Sequence, residues 1–223
     1  NSMALDVSRR SLYDPWSGQA DLLAKRIRSV GDSERRLSED GLRIMSAYRF
    51  MDQGESGVWQ PDISLETALI HKQYMIDNIA RERVWAELRL ILNGSNAGYI
   101  IANMAKDGLL DRIFEGTFDP ESRVIRAQFN KCLDNSIISP EARLGLLLKN
   151  LNNSELEPRL RNLKLSNAQI KSVLLHHRVI GTAPVDSIVG NIRRYRYVMS
   201  GNLDSQLLLE QAWIQSTDEF NNQ

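Results

Sequence analysis

One cysteine, Cys132, stands in a chain of 223 residues, so no internal disulfide can form, and the composition fits a reducing compartment. No His or Asp motif accompanies that cysteine, which reads as a helix-face residue and not a reactive thiol. Net charge is also lacking: 28 basic residues balance 28 acidic ones, so any polyanion site must come from local clustering and not from a global field. No apolar run approaches the ~18–20 residues of a membrane span, and no signal-peptide pattern is present; a cytoplasmic location is expected. Fixed-period repeats and low-complexity tracts are missing, which disfavours a solenoid. Histidine is scarce. His71 has no partner motif and is expected on a helix surface, while the adjacent His176 and His177 point to different helix faces with no carboxylate at zinc spacing. The pair is assigned a packing or RNA-facing role and not a metal site.

What remains is ordinary for a globular protein, with 42% hydrophobic and 25% charged residues, enough for one large domain or two or three small ones. The chain opens on Asn1 and not on Met, so an upstream segment is expected. Residues 1–13 alternate as a short hairpin does, with Met3, Leu5 and Val7 on one side. Asp14-Pro15-Trp16-Ser17-Gly18 is turn chemistry, followed by a short helix over 21–25 and an extended piece over 27–30.

Residues 38–50, Ser38-Glu39-Asp40-Gly41-Leu42-Arg43 onward to Phe50, are predicted as one helix. Ser38 is its expected N-cap, Glu39 and Asp40 fall in the first turn, and Leu42, Met45 and Phe50 face the core. Asp40 and Arg43, three apart, would then share a face. Such a pair is ordinarily a surface ion pair worth ~0–1 kcal/mol. Its chemistry is nonetheless specific. Cytosine and adenine each present an amine donor beside a ring-nitrogen acceptor, and a carboxylate next to a guanidinium satisfies both, whereas guanine and uracil offer the reverse order.

Downstream the pattern is helical. Ser64 with Glu66 is expected to start one helix, and Arg81-Glu82-Arg83-Val84-Trp85-Ala86-Glu87-Leu88 forms another with Trp85 as a core anchor. Asp119-Pro120-Glu121 and Ser139-Pro140-Glu141 each read as cap, then Pro at the first helical position, then acid. Ser166 to Gln169 is a capping box with Leu165 and Ile170 as staple. Later helices are expected over 184–199 and 203–214. Over residues 159–196, Arg159, Arg161, Lys164, Lys171, Arg178, Arg193, Arg194 and Arg196 face only Asp186, and Tyr195 and Tyr197 interleave the last bases. That stretch suits either a solvated face or contact with an RNA backbone.

Read together, Asp14-Pro15-x-x-Gly18, Asp21-Leu22, Glu39-Asp40-x-x-Arg43 with Arg49-Phe50, and Arg81-Glu82-Arg83-x-x-x-Glu87-Leu88 resemble the class II tRNA nucleotidyltransferases, the bacterial CCA-adding enzymes and their poly(A) polymerase relatives. The resemblance covers residues 1 to about 115. It implies a mostly α fold: a short β-hairpin remnant of the nucleotidyltransferase head with its hinge (1–30), a neck with the nucleotide-reading helix (31–115), a helical body (116–165) and a tRNA-binding tail (166–223). It implies that Asp40 and Arg43, with Glu39 in support, select CTP or ATP. Arg81, Glu82, Arg83 and Glu87 would steady the reading helix, Asp14, Pro15 and Gly18 would form the hinge, and Arg178, Arg193, Arg194 and Arg196 would hold tRNA.

Departures from the family are equally definite. The Gly-Ser motif and the Asp-x-Asp carboxylates that hold two Mg2+ ions have no match here, nor has the arginine-rich leader. The chain alone is therefore expected to be inactive, with magnesium bound by a head it lacks. The glycine that often follows Gly18 is Gln19. The implied function is tRNA 3′-end nucleotide addition; the alternatives are a poly(A) polymerase of the same family or a non-catalytic helical module binding RNA or protein.

Overall fold

The computed structural model describes residues 3–130, 133, 137–183, 189–199 and 203–218, with backbone only at 189–191, 194, 197, 217 and 218. Cys132, Lys131 and Asp186 lie outside the described residues, as does the Arg194 side chain.

The expected hairpin is present. Strands β1 (Ala4–Asp6) and β2 (Ser11–Tyr13) pair antiparallel with Leu5 opposite Leu12. The Asp6 carboxylate ties the turn by accepting from the Ser8 and Arg9 amides. The Asp14 carboxylate then caps the next helix, accepting from the amides of Gly18 at 2.6 Å and Gln19 at 3.0 Å. With those donors in place, α1 spans Gly18–Leu23 and not 21–25. The extended piece is also displaced: β3 is Arg26–Ile27, and it pairs in parallel with β4, Gln60–Pro61, which reads as a loop because a two-residue strand has no visible period.

The predicted helix over 38–50 is two helices. α2 (Ser33–Glu39) ends where Asp40 turns extended (φ −153°, ψ 107°), and α3 (Leu42–Met51) starts after Gly41. Ser38 is not a cap; its hydroxyl donates back to the Glu34 carbonyl, and Asp32 caps α2 by accepting from the Arg35 amide. Gly41 is required at the break. A Cβ there would sit 2.7 Å from the Met75 carbonyl oxygen, on the 3-10 turn Gln73–Asn78. α3 buries Ile44, Met45, Tyr48 and Met51 at i, i+1, i+4 and i+7, and Phe50, expected in the core, is half-exposed on the other side. The Tyr48 hydroxyl donates to Asp107 at 2.6 Å.

The remaining helices are α4 (Ile63–His71), α5 (Arg81–Leu92), α6 (Ala97–Lys106), α7 (Leu109–Phe114), α8 (Arg123–Gln128), α9 (Pro140–Leu147), α10 (Asn153–Asn162), α11 (Asn167–Val179), α12 (Val189–Val198) and α13 (Leu203–Asp218). α4 is capped by Asp62, two residues before the expected start at Ser64. Asp119-Pro120-Glu121 forms a turn and does not begin a helix: the Asp119 carboxylate accepts from the Glu121 amide, and Ser122 stands at the N-cap of α8. Ser139 and the Ser166/Gln169 capping box stand as expected, and Asn152 with Glu155 adds a second box.

One continuous core runs from Leu37 in α2 to Val173 in α11. A smaller cluster of Ala127, Ile138, Ala142, Leu146, Ile180, Leu209 and Ala212 seats α13 on α8 and α9.

Candidate functional site

The break between α2 and α3 brings Glu39, Asp40 and Arg43 to the surface, their side chains 37, 36 and 37% exposed. Glu39 is the hub. Its Oε2 accepts from Arg43 Nη1 at 2.8 Å and from Arg36 Nη1 at 2.6 Å, and Arg35 Nε stands 3.5 Å from Oε1. The hydrogen bond from Arg43, together with the charges of Arg36, Arg43 and Arg35, holds the Glu39 carboxyl below the usual range against a smaller opposing effect of desolvation. Arg43 Nη1 also donates to the Arg36 carbonyl at 2.6 Å, which fixes the guanidinium plane.

Asp40 and Arg43 are not paired with each other. The i, i+3 argument fails because Asp40 lies outside the helix, where its Oδ1 accepts from the Leu42 amide at 3.0 Å and its Oδ2 faces Arg83 Nη2 at 3.4 Å. The break thus presents an anchored carboxylate and an anchored guanidinium without internal neutralisation of one by the other.

α5 braces α3 from the core side. Val84, Trp85 and Leu88 are buried, while Glu87 Oε2 accepts from Arg49 Nε at 2.7 Å and Arg83 reaches Asp40. Arg81 Nη2 lies 3.7 Å from Glu115, and Glu82 occupies the first turn of α5. These are contacts between elements and not the i, i+4 pairs of a solvated face. Arg49 also lies over the Phe50 ring, 4.3 Å from its centroid. Sequence reasoning missed Arg35 and Arg36; a helix placed on 33–39 would have shown both at i, i+3 or i, i+4 from Glu39.

Among the later basic residues, Arg178, Arg193 and Arg196 are exposed, whereas Arg161 is paired with Glu157 at 2.6 Å. The histidines pack: His176 Nδ1 meets Gln206 Oε1 at 2.8 Å, and His177 Nε2 meets the Leu151 carbonyl at 2.9 Å. Burial pushes both imidazoles below their ordinary value, with Lys149 adding to the effect at His177. His71 is exposed, 3.4 Å from Glu34. Among the described residues, no group of three or more His, Cys, Asp or Glu could hold a metal ion, and no helix is long and apolar enough to cross a membrane.

Comparison with known proteins adds the rest. Residues 62–119 match the family described as "Probable RNA and SrmB-binding site of polymerase A". The chain is similar to a CCA-adding enzyme of Geobacillus sp. (strain WCH70), 31% identical over 189 residues, covering 84% of this chain and 45% of that protein. It is also similar to the mitochondrial CCA tRNA nucleotidyltransferase 1 of Danio rerio, 35% identical over 111 residues, covering 49% of this chain and 25% of that protein. The chain therefore spans less than half the length of either relative. The fold matches a solved CCA-adding enzyme complex with ATP at a TM-score of 0.68 and 17% identity, over 96% of this chain and 53% of that one. It matches the Bacillus stearothermophilus CCA-adding enzyme in complex with CTP at a TM-score of 0.65 and 19% identity, over 97% of this chain and 56% of that one. By sequence, the chain belongs to the family of CCA-adding and poly(A) polymerase-type tRNA nucleotidyltransferases.

Proposed function

We propose that this chain supplies nucleotide selection and tRNA binding to a tRNA 3′-end nucleotidyltransferase of the CCA-adding type. The observation that carries the reading is the exposed break at Asp40 and Gly41, where Asp40 and Arg43 are each held by a different partner and neither neutralises the other. In this reading the Asp40 carboxylate accepts the exocyclic amine of CTP or ATP, and Arg43 donates to the adjacent ring nitrogen. GTP and UTP would leave a donor facing a donor, and a site built to hydrogen-bond one pattern rejects the other strongly. Glu39 orients Arg43, Arg83 and Glu87 fix α5 against the reading helix, and the exposed Arg178, Arg193 and Arg196 contact tRNA phosphates, together with Arg194. Asp14, Pro15 and Gly18, within residues 1–30, serve as the hinge between the end of the head and the neck at 31–115, ahead of the body (116–165) and tail (166–223). Magnesium fits no cluster of the described residues, and no step of this reading runs through it.

The test uses the whole gene product with tRNA lacking its 3′ end, comparing C and A incorporation against G and U. Asp40→Ala and Arg43→Ala should each erode that selection by ten-fold or more, the loss of about one charge-assisted hydrogen bond of ~1.5–3 kcal/mol. Intact selection in both variants would refute the template. The match of residues 62–119 to a polymerase A family favours a second reading, poly(A) polymerase. Long homopolymeric A products on a non-tRNA substrate would establish it.

A further inference from the structure

The far end of the reading helix opens onto a cleft of about 470 Å³, within the ~300–1,000 Å³ range of small-molecule sites. Its walls combine Phe50 and Trp59 with Arg26, Arg28, Asp21 and Gln53. Phe50 is half-exposed, and the Arg49 guanidinium covers only one side of its ring. The indole N–H of Trp59 is buried without a hydrogen-bond partner. The charges are unequal. Arg28 is committed, its Nε donating to Asp21 at 2.9 Å and its Nη2 to the Trp16 carbonyl at 2.6 Å. Arg26 stands only loosely by the same carboxylate, at 3.5 Å, with its side chain 47% exposed. One carboxylate against two guanidiniums leaves a net positive charge beside two aromatic faces. Gln53 donates its amide N–H to the Phe50 carbonyl at 2.6 Å, which leaves its side-chain oxygen for a base edge.

We infer that this cleft is a subsite for single-stranded RNA, with a base stacked at Phe50 and a backbone phosphate at Arg26. Stacking on aromatic rings combined with cationic backbone contact is how proteins hold single strands without reading their sequence. Position relative to Arg43 selects the occupant. Phe50 follows Arg43 by seven residues in α3, so both leave the helix on one face, about 10 Å apart along its axis. At 3.4 Å per stacked nucleotide that is about three steps, so one base cannot be both read at Arg43 and stacked at Phe50. The cleft therefore takes the strand leading toward the nucleotide-reading position, an inference that rests on the template assigned to Asp40 and Arg43.

The experiment titrates the chain with an oligouridylate RNA tetramer, whose bases the Asp40 and Arg43 template refuses, with CTP and with inorganic phosphate, reading tryptophan emission and assigning the signal by Trp59→Phe. Phe50→Ala should weaken tetramer binding by about five- to 150-fold, the effect of losing one stacked base. Arg26→Gln should weaken it and flatten its salt dependence, while Phe50→Tyr, which keeps the ring, should bind as the parent does. Circular dichroism of each variant checks that the fold is kept. Asp40→Ala should impair CTP and leave the tetramer untouched. Failure of the tetramer to bind, binding indifferent to Phe50→Ala and Arg26→Gln, or displacement of the tetramer by CTP or phosphate alone would each overturn the subsite. CTP binding indifferent to Asp40→Ala would instead sink the template, a separate result.

Discussion

Removing the Glu87 carboxylate should loosen the seating of α3 on α5. Glu87 Oε2 accepts from Arg49 Nε at 2.7 Å, and their side chains are 15 and 30% exposed, so the pair is neither a surface bridge nor a fully buried one. Exposed pairs contribute ~0–1 kcal/mol, and breaking a buried pair costs about 3–5 kcal/mol. Arg49 retains partial hydration and its stacking on Phe50, which places Glu87→Ala near 2 kcal/mol, close to the loss of one charge-assisted hydrogen bond. For a domain of this size that is a fall in Tm of about 4–8 °C. Urea denaturation of Glu87→Ala, Arg49→Ala and the double variant closes a thermodynamic cycle, and a coupling energy of about 1–2 kcal/mol is expected. Coupling below about 0.3 kcal/mol would mean that the contact is incidental and that burial of Val84, Trp85 and Leu88 alone holds α5 to α3.

Gly98→Ala sets helix propensity against packing. The new Cβ would lie 2.2 Å from the Gln128 carbonyl oxygen and 2.7 Å from its carbon, backbone that cannot swing aside. An overpacking cost of ~1–3 kcal/mol or more should exceed the gain of about 1 kcal/mol in propensity, so the denaturation midpoint falls; a rise would refute the close approach of α6 and α8. Buried His176 and His177 have folded pKa values below their ordinary 6.5, so the unfolded chain binds more protons as pH drops through about 6.5. Stability should be full above that pH and be lost progressively toward the folded pKa values. Urea midpoints at pH 5 and 7.5 should converge in a His176→Gln, His177→Gln variant. In tRNA binding, replacing Arg193 and Arg196 should flatten the salt slope by roughly one unit per phosphate contact, and an unaltered slope would assign them to solvent.

Local chemistry was legible from spacing. The caps at Ser139 and Ser166 join residues three apart, and the hairpin over β1 and β2 alternates with period two, so each is written within a few residues of chain. The order of Asp14-Pro15-x-x-Gly18, Glu39-Asp40-x-x-Arg43 and Arg81-x-x-x-x-x-Glu87 was equally legible and pointed to the family. Asp119-Pro120-Glu121 carried the same signal as Ser139-Pro140-Glu141 yet made a turn, because its carboxylate satisfied an amide two residues on.

The meaning of residues 38–50 was decided in three dimensions. Helical periodicity runs through Asp40 and Gly41 without a mark. The chain leaves the helix at Asp40, and beside it the Gln73–Asn78 turn brings its Met75 carbonyl against Gly41, where no Cβ fits. Partners 38 and 43 residues apart, Arg49 with Glu87 and Asp40 with Arg83, likewise come from the crossing of α3 and α5, a geometry no single helix encodes. Sequence alone therefore specified which carboxylate and guanidinium stand at the candidate site, and it pointed to the family. Tertiary packing decided that Asp40 and Arg43 stand apart from each other, each held by a different neighbour, because hydrogen bonds within a helix follow spacing and contacts between helices follow shape.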